Sequence, residues 1–253
     1  MSYIPNEDFL IEVQKGKIAG HSLVHKFGRN DAVPSGTWEA IANLSTAAAF
    51  LAAATTVRVK AGNAADDTAG AGAREITVVG LDGSGNEQTE ALATAGASAS
   101  SNSSTSFFRV YRAYVSAAGT YATPVNTAAV IIENSAGTVD LIQINIAEGQ
   151  SQFAMYSVPL GKTAYVVRVS MTADAAKAAD FRMFKRLDIL DTTAPLGAQR
   201  IMLHFDGVLG HITHQIAGAI DAVPALSDIW MEAEGGGGVS EVSADFEILL
   251  VDD

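Results

Sequence analysis

Arg74-Glu75-Ile76-Thr77-Val78-Val79-Gly80-Leu81 alternates apolar and polar side chains, halts at Asp82-Gly83-Ser84-Gly85-Asn86, and resumes in Glu87-Gln88-Thr89-Glu90-Ala91-Leu92. A period of two sends successive side chains to opposite faces of an extended chain. Two such runs around a short Gly/Asn/Asp turn predict a β-hairpin. The same pattern recurs outward in both directions: Thr55 to Ala61, Phe107 to Val115 and Ala129 to Glu133, each closed by turn residues. A second series follows Glu148-Gly149-Gln150-Ser151. It comprises Phe153 to Val158, Thr163 to Thr172, Asp180 to Leu187, Ile201 to Asp206, Ile212 to Ile216, Ile229 to Ala233 and Ser240 to Val251. Val158-Pro159-Leu160-Gly161-Lys162 reads as a turn, and the apolar run closing the chain suits a central strand.

Short strands joined by tight turns predict an all-β protein. The expected organisation is an N-terminal arm (1–30) followed by two antiparallel β-sandwich (jelly-roll-like) domains, 31–147 and 148–253. Two stretches resist the pattern. Thr46 to Ala54 is Ala-rich and either runs extended or forms a single helical turn. Ala93 to Ser106 is a low-complexity Ala/Ser/Thr run, expected to be a long exposed connection that buries little.

The chain has 253 residues, 48% hydrophobic and 17% charged, with 23 Gly and no Cys. That length supports a sizeable core without staples, and the missing cysteines exclude disulfides, thiolate nucleophiles and Cys-ligated metals. The start of the sequence lacks the basic and apolar pattern of a signal peptide, and no apolar run approaches the roughly 20 residues of a spanning helix. A soluble chain without a membrane partner is expected. The net charge is −12, with −4 up to residue 147 and −8 beyond it. That sign argues against a nucleic-acid partner. The low share of charge also suggests a surface partly covered by other subunits.

Candidate chemistry is sparse. His204, His211 and His214 are close in sequence, but on a strand residues three apart face opposite ways, so a structural role is expected and no metal or other cofactor. Asp82 to Glu87 places oxygens like the first half of a calcium loop, yet Glu87 stands where the sharp-turn glycine belongs. A hairpin turn accounts for the same residues. No GxSxG elbow, HExxH or phosphate-binding loop is present, and the chain is expected not to be an enzyme. Two segments suggest contacts. Lys15, Lys17, His21, His25, Lys26 and Arg29 form a basic stretch with no acid between Glu12 and Asp31, expected to touch a neighbouring subunit or shell. Phe181-Arg182-Met183-Phe184-Lys185-Arg186 mixes large apolar and cationic residues and suits an oligomer contact.

The chain resembles virion structural proteins of tailed bacteriophages, particularly β-rich proteins of aquatic phages. The resemblance is carried by Gly16 to Asn30, by the hairpin Val79 to Glu90 with Phe107-Phe108-Arg109-Val110-Tyr111-Arg112 after it, by Ala154 to Tyr165, and by the closing strand to Asp253. It implies a virion component assembled in the host cytoplasm, with no catalytic residue to transfer. An acidic protein suits the outside of a DNA-filled head better than its lining. The expected function is therefore a non-enzymatic decoration or cement protein of the outer capsid surface. It is expected to be a homo-oligomer, by analogy a homotrimer, with the major capsid protein or other virion proteins as partners. The alternative is a tail or fibre module binding host surface glycans, with Tyr111, Tyr114, Tyr156 and Trp230 as sugar-stacking candidates.

Overall fold

The computed structural model describes residues 8–44, 49–121, 125–216 and 221–253. Among the described residues one short helix, α1 (Phe9–Gln14), precedes seventeen strands. In order these are β1 (His21–Val33), β2 (Glu39–Ala40), β3 (Thr55–Val59), β4 (Ala73–Leu81), β5 (Glu87–Ala93) and β6 (Ser106–Phe107). Then come β7 (Arg109–Ala118), β8 (Val130–Asn134), β9 (Asp140–Ile144), β10 (Met155–Ser157), β11 (Lys162–Ala173) and β12 (Ala179–Arg186). The last are β13 (Arg200–Val208), β14 (Gly210–Gln215), β15 (Ala222–Val223), β16 (Asp228–Gly235) and β17 (Ser240–Asp252). The fold is all-β with antiparallel sheets. No described helix is long and apolar enough to cross a membrane.

Two five-stranded sheets form one unit. The first runs β1-β17-β11-β14, with β15 also on β11; the second runs β10-β16-β12-β13, with β2 on β16. Alternation sets the facing: Val242, Ala244, Phe246, Ile248 and Leu250 of β17 are buried at every second position, as the pleat requires. The central place of β17, with β1 on one edge and β11 on the other, follows from that apolar closing run. The remaining strands form a second unit, a four-stranded sheet β6-β3-β8-β9 and a three-stranded sheet β5-β4-β7.

Topology corrects the expected domain organisation. The segment 21–30, expected as part of an arm, is strand β1, in register with β17 from His21↔Val251 to Asn30↔Val242. Residues 31–42 likewise belong with the C-terminal strands, because β2 pairs with β16 and Ala42 bridges to Phe153. The sandwich is thus assembled from both ends of the chain, and the β3–β9 unit is an insertion between β2 and β10. Asn43 fastens the neck of this insertion: its N–H donates to the Gln152 carbonyl at 3.0 Å and its Oδ1 accepts the Gln152 N–H at 2.7 Å. Close approach explains the fit of β1 at this neck. A Cβ on Gly28 would stand 2.0 Å from the Ile41 carbonyl oxygen and 2.4 Å from the Ala154 nitrogen, so only glycine fits.

The Ala93 to Ser106 run also departs from expectation. It is stitched along β3 by serines that replace backbone partners. Ser100 donates its N–H to the Val59 carbonyl at 2.9 Å and accepts the Val59 N–H on Oγ at 2.9 Å. Ser103 does the same with Val57, at 2.7 and 2.9 Å. Small hydroxyl side chains let an irregular segment satisfy a strand's buried polar groups, so a run with little apolar surface is still buried at Ser100 and Ser103. The Ala-rich stretch forms no helix over Ala49–Ala54, and its residues 46–48 lie outside the described residues.

The two units share one continuous core. At its centre Arg109 of β7 meets Asp228 of β16, with Nε 3.2 and 3.0 Å from the two carboxylate oxygens. Arg109 Nη1 donates to the carbonyls of Leu51 at 3.1 Å and Phe108 at 3.0 Å, and Ser157 Oγ donates to Asp228. The guanidinium lies 4.2 Å from the Phe108 ring centre and 5.0 Å from that of Phe50. Desolvation pushes Arg109 down and Asp228 up, and the mutual attraction opposes both shifts.

Two stability predictions follow from these contacts. Asp228→Ala leaves a buried guanidinium unpaired and is expected to destabilise by about 3–5 kcal/mol. The double variant Arg109→Met with Asp228→Leu is expected to lose clearly less than the sum of the single losses, as read by urea denaturation in a double-mutant cycle. Ser100→Ala and Ser103→Ala each strand a buried N–H on β3 and are expected to cost about 1–3 kcal/mol apiece, seen as a lowered denaturation midpoint at unchanged slope.

Candidate assembly surface

An exposed region with several apolar side chains begins where the sheets end. Asp191 to Arg200 is exposed at every residue, and β13 and β14 continue the exposure along the sandwich flank. β13 is the edge strand of one sheet and β14 of the other. They are consecutive, joined at Leu209, so the outer edges of both sheets meet on the same flank. Leu196, Ile201, Leu209 and Ile212 stand 51%, 55%, 56% and 38% exposed on it.

Charge is nearly absent from this flank. Between Asp191 and Ile216 the Lys, Arg, Asp and Glu residues are Asp191, Arg200 and Asp206, in a chain whose overall charged share is 17%, and the Asp180 carboxylate of β12 reaches in to accept the Gly207 N–H at 2.7 Å. Sheet edges normally carry lysines, prolines or bulges that stop another strand from adding. β14, with the sequence Gly210-His211-Ile212-Thr213-His214-Gln215, has no charge and no proline. Its histidines serve separate contacts. His211 sits 3.0 Å from Thr172 Oγ1 and 2.8 Å from Thr213 Oγ1, whereas the His214 ring packs edge-on against Phe205. His204 lies 3.0 Å from Asp206. The three histidines do not converge, and no group of three or more metal-binding side chains occurs among the described residues.

The basic stretch is distributed differently from a free docking arm. Lys15 and Lys17 both pair with Glu12, on α1. His21 Nδ1 lies 2.9 Å from the Ala19 carbonyl, and its ring meets Phe9. His25 approaches Asp245 at 3.4 Å. Arg29 reaches Asp31, Glu241 and Glu148. Lys26 points inward and is 7% exposed. Strand β1 thus brings two of them, His25 and Arg29, to the β17 carboxylates Asp245 and Glu241, which are distant in sequence. The Phe181 to Arg186 segment is β12, flanked by β16 and β13. Arg182 there pairs with Glu232 and stacks on Trp38 at 3.9 Å, so this strand lies inside the sheet.

Among the sugar-stacking candidates, Tyr111, Tyr156 and Trp230 are 3%, 2% and 2% exposed, which leaves Tyr114 alone accessible. At the hairpin turn, the Asp82 carboxylate accepts the N–H groups of Ser84 and Asn86 at 2.8 and 2.9 Å and the Gln88 amide at 3.1 Å. Burial works against ionisation there, but those backbone donors hold the carboxyl below the ordinary range. Its lone pairs are thus engaged by N–H groups in the way a turn uses them.

No family model matches this chain, and no curated protein does. Among solved structures, a structure of infectious bursal disease virus, Gt strain, overlaps 99% of this chain and 75% of that one at 10% identity and a TM-score of 0.27. T=1 particles derived from infectious bursal virus overlap 92% of this chain and 70% of that one at 11% identity and a TM-score of 0.24. Overlap at this level does not define a shared fold.

Proposed function

We propose that this chain is a non-enzymatic structural protein of a phage virion that decorates or cements the outer capsid surface as an oligomer. The observation that carries the reading is the charge-poor flank of β13 and β14, with Ile201, Leu209 and Ile212 exposed, on a body of net charge −12. Exposed apolar surface of this kind marks an interaction site, and an open strand edge offers backbone hydrogen bonds for a neighbour to complete. A rigid two-unit body, fixed by a buried ion pair, suits a component that must present the same shape in every copy. The phage resemblance in Gly16–Asn30, the β4–β5 hairpin and the closing strand supports a virion setting, and the acidic surface supports a place outside the packaged DNA. A homotrimer contacting the major capsid protein through its surface is the assembly this reading implies.

Two measurements test it. Sedimentation equilibrium of the purified chain is expected to show an oligomer, and Ile201→Lys with Ile212→Lys is expected to shift it to monomer while leaving the β circular dichroism unchanged. A monomeric wild-type chain sinks the flank as the copy-to-copy contact. Independently, reconstruction of the particle is expected to place this chain on the outer head surface around symmetry axes; density confined to the tail rejects the decoration role.

A further inference from the structure

Most cations in this acidic chain have a carboxylate partner: Arg58 has Glu133, Lys60 has Asp140, Lys162 has Asp252, and Arg168 has Asp245 and Glu247. Lys26 and Arg112 have none among the described residues, and they are neighbours. Lys26 Nζ donates one hydrogen bond, to the Tyr111 carbonyl at 2.6 Å, and lies 5.1 Å from the Tyr111 ring centre. An ammonium carries three donors, so this acceptor and one ring face leave it short of counter-charge. Arg112, next on β7, rests over the Tyr114 ring at 5.0 Å. Burial first, and the Arg112 charge second, push Lys26 down to about 7.

Both residues line a cavity of about 290 Å³, with His25, Phe27 and Ser151 completing it. Ser151 Oγ accepts the Ala113 N–H at 2.9 Å, which leaves its own hydroxyl proton to donate. Every titratable neighbour is accounted for by its element. On β1, His25 faces Asp245 at 3.4 Å. On β7, Tyr111 donates its hydroxyl to Glu87 of β5 at 2.8 Å, and Tyr156 of β10 packs on the Tyr111 ring at 5.1 Å. Glu87 and Asp245, the carboxylates on these neighbours, are thus engaged by a phenol and an imidazole.

We infer that this cavity at the seam of β1 and β7 binds an oxyanion, held by Arg112, Lys26 and the Ser151 hydroxyl. The chain as a whole, at net −12, repels anions, so a locally cationic recess is where one is accepted. A bound oxyanion supplies the counter-charge that Lys26 lacks and restores its proton. The guest is a tetrahedral oxyanion or a carboxylate, which share this chemistry.

Isothermal titration of the full chain with sulfate, and separately with acetate, at pH 6 and 8 and constant ionic strength tests the site. Saturable binding of either ion is expected at pH 6, weakening about tenfold at pH 8 as Lys26 must take up a proton. The ion that binds more tightly identifies the tetrahedral or planar guest. Lys26→Met retains the side-chain volume and removes a buried unpaired charge, so it is expected to fold and to abolish the pH dependence. Arg112→Ala, at an exposed position, is expected to weaken binding at least tenfold at both pH values. Absence of saturable binding of both ions to the wild-type chain, or binding and pH dependence unchanged in both variants, overturns the assignment.

Discussion

The Arg109–Asp228 pair is the constraint around which the rest of the molecule is arranged. Withdrawing two full charges from water is costly, and attraction offsets the cost only when nearly every donor and acceptor finds a partner. Here the carboxylate takes Arg109 Nε and the Ser157 hydroxyl, Nη1 takes two backbone carbonyls, and the guanidinium lies close to the Phe50 and Phe108 rings. Those partners come from the loop before β3, from β7, from β10 and from β16. They coincide only when the inserted unit docks on the sandwich in one register, so a pair that adds little net stability selects one arrangement of the two units.

Chain order makes that selection necessary. The sandwich is built from β1 and β2 at one end of the chain and β10 to β17 at the other, with the inserted strands between them. One of its two longest ladders, β1 on β17, joins residues more than two hundred positions apart. Loop closure on that scale delays pairing until late and favours slow folding. The neck at Asn43 and Gln152 shortens the effective loop by holding the ends of the insertion side by side. Gly28 permits the backbone contact that seats β1 against this neck.

Local grammar was legible in the sequence where the physics is local. The β4–β5 hairpin, the long strands β11, β12 and β17, and the central place of the last strand follow from period-two alternation and turn chemistry. What alternation does not encode is which strands pair. Nothing near Gly20 to Asn30 announces that its partner is Ser243 to Val251, so a strand rich in bases read as an arm, and its carboxylate partners on β17 were invisible. The serine-rich run misled for a different reason: composition measures apolar surface, whereas Ser100 and Ser103 are buried through hydrogen bonds to β3. Arg109 and Asp228 are likewise ordinary residues until the fold brings them together. The flank left a readable signal, the dearth of charge from Thr192 to Ile216, but its meaning depends on both strands being sheet edges.

That flank also follows from electrostatics once many copies must lie close together. Each copy carries −12, and carboxylates facing each other inside a contact would repel across less than the roughly 8 Å over which physiological salt screens. A contact made through a surface with so few charges keeps most of the acidic groups outside that range. In the proposed assembly their repulsion then opposes non-specific clustering through the acidic faces, while the apolar edge permits close approach. In the proposed assembly, net charge and charge-poor flank are therefore two halves of the same device, in which the acidic body supplies the selectivity and the apolar edge supplies the adhesion.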